Sequence, residues 1–422
     1  MVDMLALAKR LYPICRSLTG NGNRLTLQIL SETVSSLKIC EIPSGTDVFD
    51  WTIPREWNCS DGYLLAPDGS KVVDFKDSNL HVLGYSVPVD EYLTLEELQE
   101  HLYSLPEQPD WVPYVTSYYK DRWGFCLKDK DRKALKHGMY HAVIKSTLED
   151  GSLTYGEAFL PGNSEDEIFF STYICHPSMA NNELSGPCVA AALYEYLASL
   201  PERRYSYRFA FVPETIGSIS YLSRNVDHLQ KFVKAGFNLT CVGDDRAYSY
   251  LPSRYGNTLA DRAALNILHT EHPDFISYSF LQRGSDERQY CSPGVDLPVC
   301  SVMRSKYGVY PEYHTSADNF DVVTASGLEG AFTVYKDIID LLERNYYYTI
   351  QCKGEPQLGK RGLYPTISFK GSAGYVRNMI NFLTYADGKN DLIGISEIIN
   401  VPVKELYPVI EKLLACNLIK SC

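Results

Sequence analysis

Two histidines and a series of carboxylates in this 422-residue chain fall where apolar runs give way to loops. His176 follows Ile168-Phe169-Phe170-Ser171-Thr172-Tyr173-Ile174 and leads into Pro177-Ser178-Met179-Ala180-Asn181-Asn182-Glu183-Leu184-Ser185-Gly186. Glu214 ends a second apolar run, Phe209-Ala210-Phe211-Val212-Pro213, and His314 opens His314-Thr315-Ser316-Ala317-Asp318. Between them stand Val242-Gly243-Asp244-Asp245-Arg246 and Arg283-Gly284-Ser285-Asp286-Glu287-Arg288. Neutral imidazole and carboxylate ligands at about 2.0–2.2 Å, one open position for water and a separate carboxylate to take the proton of that water are what zinc hydrolysis requires. His176, Glu183 and His314 are the expected zinc ligands and Glu214 the expected general base. Glu183 also stands where a helix's first turn favours an acid through its dipole. Asn182, Asp244, Asp286, Glu287, Arg288 and Asp318 are expected to support these groups or to meet substrate. Asp318 either orients His314 or caps the helix ahead, and Arg283, Arg288 and Arg304 offer pairing to a substrate carboxylate.

Positioning these groups requires strands that deliver them to one sheet edge. Apolar runs at Tyr140 to Lys145, Glu167 to Ile174, Tyr207 to Val212, Phe237 to Val242 and Leu297 to Met303 alternate with helical patterns at 187–200, 217–224, 257–269 and 324–345. Alternation of this kind predicts an α/β fold, a mixed and largely parallel sheet covered by helices on both faces. Ligands of such sheets bind beyond the carboxyl ends of the strands. Residues 1–40 carry two amphipathic helical stretches, Met4 to Leu18 and Arg24 to Leu37, and join 127–350 in the catalytic domain. Residues 41–126, with short aromatic runs and the turn Asp68-Gly69, read as an inserted β-rich domain. Helical patterns at Tyr375 to Thr384, Ile393 to Ile399 and Val403 to Leu414 make 356–422 a winged-helix domain.

A formal net charge of −12 argues against a general nucleic-acid or anionic-membrane binder and leaves small molecules or peptides as partners. Gln351 to Cys422 carries nine basic and six acidic side chains, too small a surplus for the roughly 6–10 phosphates a DNA reader neutralises. Nucleic acid is therefore not an expected partner. The twelve cysteines stand singly with no C-x-x-C pair, so they indicate reduced core thiols of a cytoplasmic protein and no thiolate zinc site. No apolar run approaches the roughly 20 residues needed to span a bilayer, so no membrane association is expected; a homo-oligomer is allowed.

Asn181-Asn182-Glu183-Leu184-Ser185-Gly186 resembles the Asp-Asp-Asn-x-Ser-Gly loop of the zinc aminopeptidase superfamily that includes glutaminyl cyclases and glutamate carboxypeptidase. Glu214-Thr215-Ile216-Gly217-Ser218 resembles its Glu-Glu-x-Gly turn, and His314-Thr315-Ser316-Ala317-Asp318 its His-Thr-x-x-Asp. With the insertion and the winged helix, the whole chain resembles a bacterial aminopeptidase-like family associated with surface-polysaccharide gene sets. The resemblance implies an amide hydrolase acting on a small peptide or a peptide-like or acylated sugar conjugate. Departures bear on the metal. Asn181 or Asn182 stands for the bridging Asp, Thr215 for the second Glu and Thr240 for a later Asp, so one zinc is expected where the superfamily holds two. The alternative is a binding module that has lost catalysis and signals through its winged helix.

Overall fold

The computed structural model describes residues 2–364 and 372–421. Its eight-stranded sheet runs in the order Lys38–Pro43, Ser152–Leu160, Ser206–Val212, Glu167–Tyr173, Val233–Asn238, Val299–Met303, Ser249–Leu251, Ile276–Ser277. The four strands from Ser206–Val212 to Val299–Met303 are parallel to one another, and antiparallel neighbours flank them. Every residue of Glu167–Tyr173 is buried, as the unbroken apolar run predicts for a central parallel strand. The helices between the strands lie at Ser185–Ser199, Ile216–Phe232, Leu259–Glu271 and Ala325–Arg344, close to the sequence expectation. The fold is therefore the expected mixed, largely parallel α/β sheet.

Two local differences have physical causes. The first helix spans only Met4–Leu11, capped by Asp3 accepting from Ala6 N–H at 2.9 Å. Tyr12 still has helical dihedrals and donates to Ala8 O at 2.9 Å, but Pro13 has no N–H to continue the ladder, so the helix stops there. The strand Met139–Glu149, placed by its apolar pattern in the alternating core, instead pairs with Glu56–Leu65 and Val89–Thr94 in a separate four-stranded antiparallel sheet. Its alternating exposure suits a sheet with one wet face, and its partners come from distant sequence that no local pattern specifies. Both sheets contribute to one core in which Ile42, Leu153 and Tyr155 are clustered with Trp57, Tyr140 and Ile144.

A second compact unit comprises residues 261–275 and 334–422. It holds a three-stranded antiparallel sheet, Asp387–Asp391, Tyr347–Ile350 and Ile419–Ser421, and helices Ser372–Tyr385, Leu392–Ile399 and Val403–Ala415. Asp391 closes it, accepting from Gly394 N–H at the start of one helix and pairing with Arg262 at 2.6 Å. Among the described residues no helix is long and apolar enough to cross a membrane.

Candidate functional site

The strands Glu167–Tyr173 and Ser206–Val212 are parallel neighbours, with Tyr173 opposite Val212. Their carboxyl ends therefore release His176 and Glu214 side by side, and His176 Nε2 lies 3.6 Å from Glu214 Oε2. The turn at Glu214 depends on Thr215, which takes φ 64°, a left-handed conformation that a β-branched residue seldom adopts. Asp286 Oδ1 accepts from Thr215 N–H at 2.7 Å and from Ser218 Oγ at 2.8 Å, and Arg288 Nη2 donates to Thr215 Oγ1 at 2.6 Å. These contacts hold the strained turn that directs the carboxylate at the imidazole. His314 also has positive φ, 57°, and its ring centroid lies 5.3 Å from that of His176.

Glu183 lies on the opposite edge of the His176 ring. Its Oε2 is 2.7 Å from Nδ1, its side chain is wholly buried, and its second oxygen has no hydrogen-bond partner among the described residues. A carboxylate on Nδ1 fixes the tautomer and leaves Nε2 directed at Glu214. Asn182 Oδ1 faces His314 Nε2 at 3.2 Å, while its amide nitrogen donates to Tyr173 OH at 2.6 Å. Tyr173 OH in turn meets Thr240 Oγ1 at 2.5 Å. Asn182, one of the two asparagines standing for the bridging Asp in the resemblance, and Thr240, which stands nearest its later Asp, are thus joined by a neutral hydrogen-bonded chain.

The electrostatics follow from burial. Burial and the nearby His176 drive the His314 imidazole down to about 3, so it keeps a free lone pair in neutral water. Burial opposes charge on His176, yet Cys175 and Glu183 beside it more than offset this and hold its pKa well above the usual histidine range. Burial pushes the Glu214 carboxyl up, with His176 and Arg288 pulling it part of the way back.

The remaining sequence candidates stand behind this cluster. Asp318 accepts from Asn181 N–H at 2.6 Å, Asn182 N–H at 3.0 Å and Tyr310 OH at 2.9 Å, so it caps the turn Ala180–Leu184 that carries Asn182 and Glu183. Asp244 is clamped by Asn181 Nδ2, Ser305 N–H and Ser305 Oγ at 2.8–3.0 Å. Glu287 accepts from Gly284 N–H, Ser285 N–H, Tyr307 OH and Asn238 Nδ2. Asp244 and Glu287 hold loops; neither reaches His176.

Two residues at the site have no counterpart in the sequence reading. Tyr114, between the strands Leu102–Tyr103 and Phe125–Cys126, places its ring 5.1 Å from His176 and 5.3 Å from His314, and its N–H donates to His314 O at 2.9 Å. Arg16 is 1% exposed; its Nε donates to His176 O at 3.0 Å and its Nη1 to Leu11 O at 2.7 Å. A lone cation inside the apolar run Ile14-Cys15-Arg16-Ser17-Leu18 was the available signal for the second. For Tyr114, one of 32 tyrosines, there was none.

Imidazole and carboxylate are donor types that zinc accepts. Two imidazoles on one tetrahedral zinc place their ring centroids about 5 Å apart, which the His176–His314 spacing of 5.3 Å matches. The neutral groups at 182, 215 and 240 do not fit a second ion. Cys175, His176 and Glu183 also bring ligand atoms within 4.8 Å of one another. That trio is buried, its thiol is pushed up to about 11 by burial, and its sulfur already accepts from Glu214 N–H.

The family model described as a domain of unknown function, DUF4910, matches residues 5–345, and a winged helix-turn-helix model matches 345–421. A Clostridium acetobutylicum protein, provisionally named for polysaccharide biosynthesis and for an aminopeptidase-like domain, is 46% identical over 93% of this chain and 90% of its own. A crystal structure of a provisionally named peptidase from Clostridium acetobutylicum superposes with a TM-score of 0.94 at 42% identity, covering 100% of this chain and 96% of the other. The zinc aminopeptidase BSAP of Bacillus subtilis shares the fold at a TM-score of 0.57 and 13% identity, over 80% of this chain and 92% of its own. With an aminopeptidase-like α/β fold and a winged helix-turn-helix segment, the chain belongs to the DUF4910 family.

Proposed function

We propose that this protein is a hydrolase of amide bonds, dependent on one zinc ion and acting on a small peptide or a peptide-like or acylated sugar conjugate. The observation that carries the reading is the line Glu183, His176, Glu214, with His314 beside it: one carboxylate orients the imidazole and a second faces its free nitrogen. His176 and His314 would hold the ion through Nε2, with Asn182 Oδ1 at its margin. Glu183, the expected third ligand, acts in this reading from behind His176. When bound, zinc supplies Lewis acidity towards a carbonyl and towards water.

The chain's own groups perform the proton chemistry. Glu214, with its proton affinity raised by burial, takes a proton from the attacking water as the carbon–oxygen bond forms. It then delivers that proton to the amide nitrogen as the carbon–nitrogen bond breaks. Asp286 and Arg288 keep Glu214 on its strained turn, and the Tyr114 ring covers both imidazoles and limits the water around them.

Glu183→Gln is the direct test of the orienting role. It is expected to weaken zinc binding by about 10–100-fold while leaving the fold intact. Competitive zinc titration against a chromogenic chelator reads the effect, and circular dichroism confirms the fold. Complete loss of zinc, as from deletion of a ligand, would return Glu183 to the ligand set; unchanged affinity would remove it from the site. The neutral Asn182–Tyr173–Thr240 chain favours one competing reading, a binding module without turnover. A panel of peptides and N-acyl amino sugars bound but not cleaved by the zinc-loaded protein would support that reading.

A further inference from the structure

In a chain of net charge −12, one cavity of about 730 Å³ is lined by Arg254, Arg283 and Arg288 and, among the described residues, by no acidic side chain. The three arginines are differently engaged. Arg254 pairs with the half-exposed Asp296, which is not among the lining residues, donates from Nη2 to Tyr255 OH at 2.9 Å and lies over the Tyr255 ring at 4.7 Å. Arg283 lies over the Phe280 ring at 4.9 Å, and its Nη1 donates to Phe280 O at 3.3 Å. Arg288 ties the cavity to the candidate catalytic group. Its Nη2 holds Thr215, the neighbour of Glu214, while its buried Nε has no hydrogen-bond partner among the described residues. Guanidinium groups stacked on aromatic faces keep their edge N–H donors available, and those donors match the geometry of an oxyanion. At the rim, Tyr255 is 74% and Leu281 84% exposed, so apolar surface borders the cationic wall.

We infer that this cavity is an oxyanion subsite, binding the carboxylate or phosphate of a ligand whose ring or apolar body packs on Tyr255 and Leu281. The inference rests on the hydrolase reading only in taking that ligand to be the substrate, because binding here requires neither metal nor turnover. Arg288 would place the anion on the side of Glu214 away from His176, setting the distance between the scissile bond and the charged end of the substrate.

The test is calorimetric titration of the metal-free full-length protein with hippurate, its neutral amide hippuramide and phenyl phosphate. Hippurate or phenyl phosphate should bind at least about tenfold more tightly than hippuramide, with Arg283→Gln and Arg288→Gln each reducing that preference by about tenfold. Whichever anion binds more tightly identifies the oxyanion as carboxylate or phosphate. Equal binding of hippurate, phenyl phosphate and hippuramide would overturn the inference, as would a preference unaffected by Arg283→Gln, a change at the cavity wall that removes no buried pairing. Glu214→Gln, which removes a negative charge that acts on Arg288, should not weaken the preference. A preference lost while hydrolysis persists counts against the subsite alone, and hydrolysis absent while the preference persists counts against the hydrolase reading alone.

Discussion

Glu214→Gln is expected to lower kcat/KM on any amide substrate by about 10²–10⁴-fold, the range that a positioned general base supplies. The amide keeps the size of the carboxylate and its place opposite His176 Nε2, where the native oxygen lies 3.6 Å away. It cannot take a proton from water. Zinc content and thermal unfolding should remain those of the wild type, because the turn is held from Asp286 and Arg288 through Thr215 and not through Glu214 Oε2. A loss of activity accompanied by loss of zinc would instead make Glu214 a ligand, and activity within a few-fold of wild type would remove it from the reaction. Steady-state kinetics and metal analysis on one preparation distinguish the three outcomes.

Glu287→Ala is expected to destabilise the fold by about 3–5 kcal/mol, the range for removing one partner of a buried, hydrogen-bonded polar cluster. Glu287 is fully buried and accepts from two backbone N–H groups, the Tyr307 hydroxyl at 2.5 Å and the Asn238 amide at 3.1 Å. Truncation leaves those donors without an acceptor in the interior. Glu287→Gln retains one acceptor oxygen and should lose less. Urea denaturation followed by tryptophan fluorescence measures both variants, and a midpoint for Glu287→Ala within error of wild type would contradict the assignment. The same substitution loosens the loop carrying Arg283 and Arg288, so the anion preference should weaken in step with stability.

The parts of this architecture legible in the sequence were those set by local pattern. The unbroken apolar runs ending near His176 and Glu214 marked parallel strands, and adjacent parallel strands place such residues together at one sheet edge. His314 came into the same set from its motif alone. Roles that depend on side-chain direction were not legible. Glu183 stands seven positions after His176 on a tight turn, and whether it met Nδ1 or a shared ion depended on the path of residues 177–182. Long-range placement was equally hidden: Tyr114 arrives through backbone pairing of Pro113 with Thr315, and Arg16 through contact with His176 O, 160 positions away. The strand Met139–Glu149 misled for the same reason, since an alternating run specifies a strand but not its partner.

The count of zinc per chain tests the central claim most directly. Inductively coupled plasma mass spectrometry on full-length protein purified without chelator and dialysed against metal-free buffer should find close to one zinc per chain in the wild type. His176→Ala and His314→Ala should each retain less than about a tenth of it, since each removes one of the two imidazoles assigned to the ion. Two ions per chain, or a zinc content unchanged by both substitutions, would contradict a single centre built on His176 and His314.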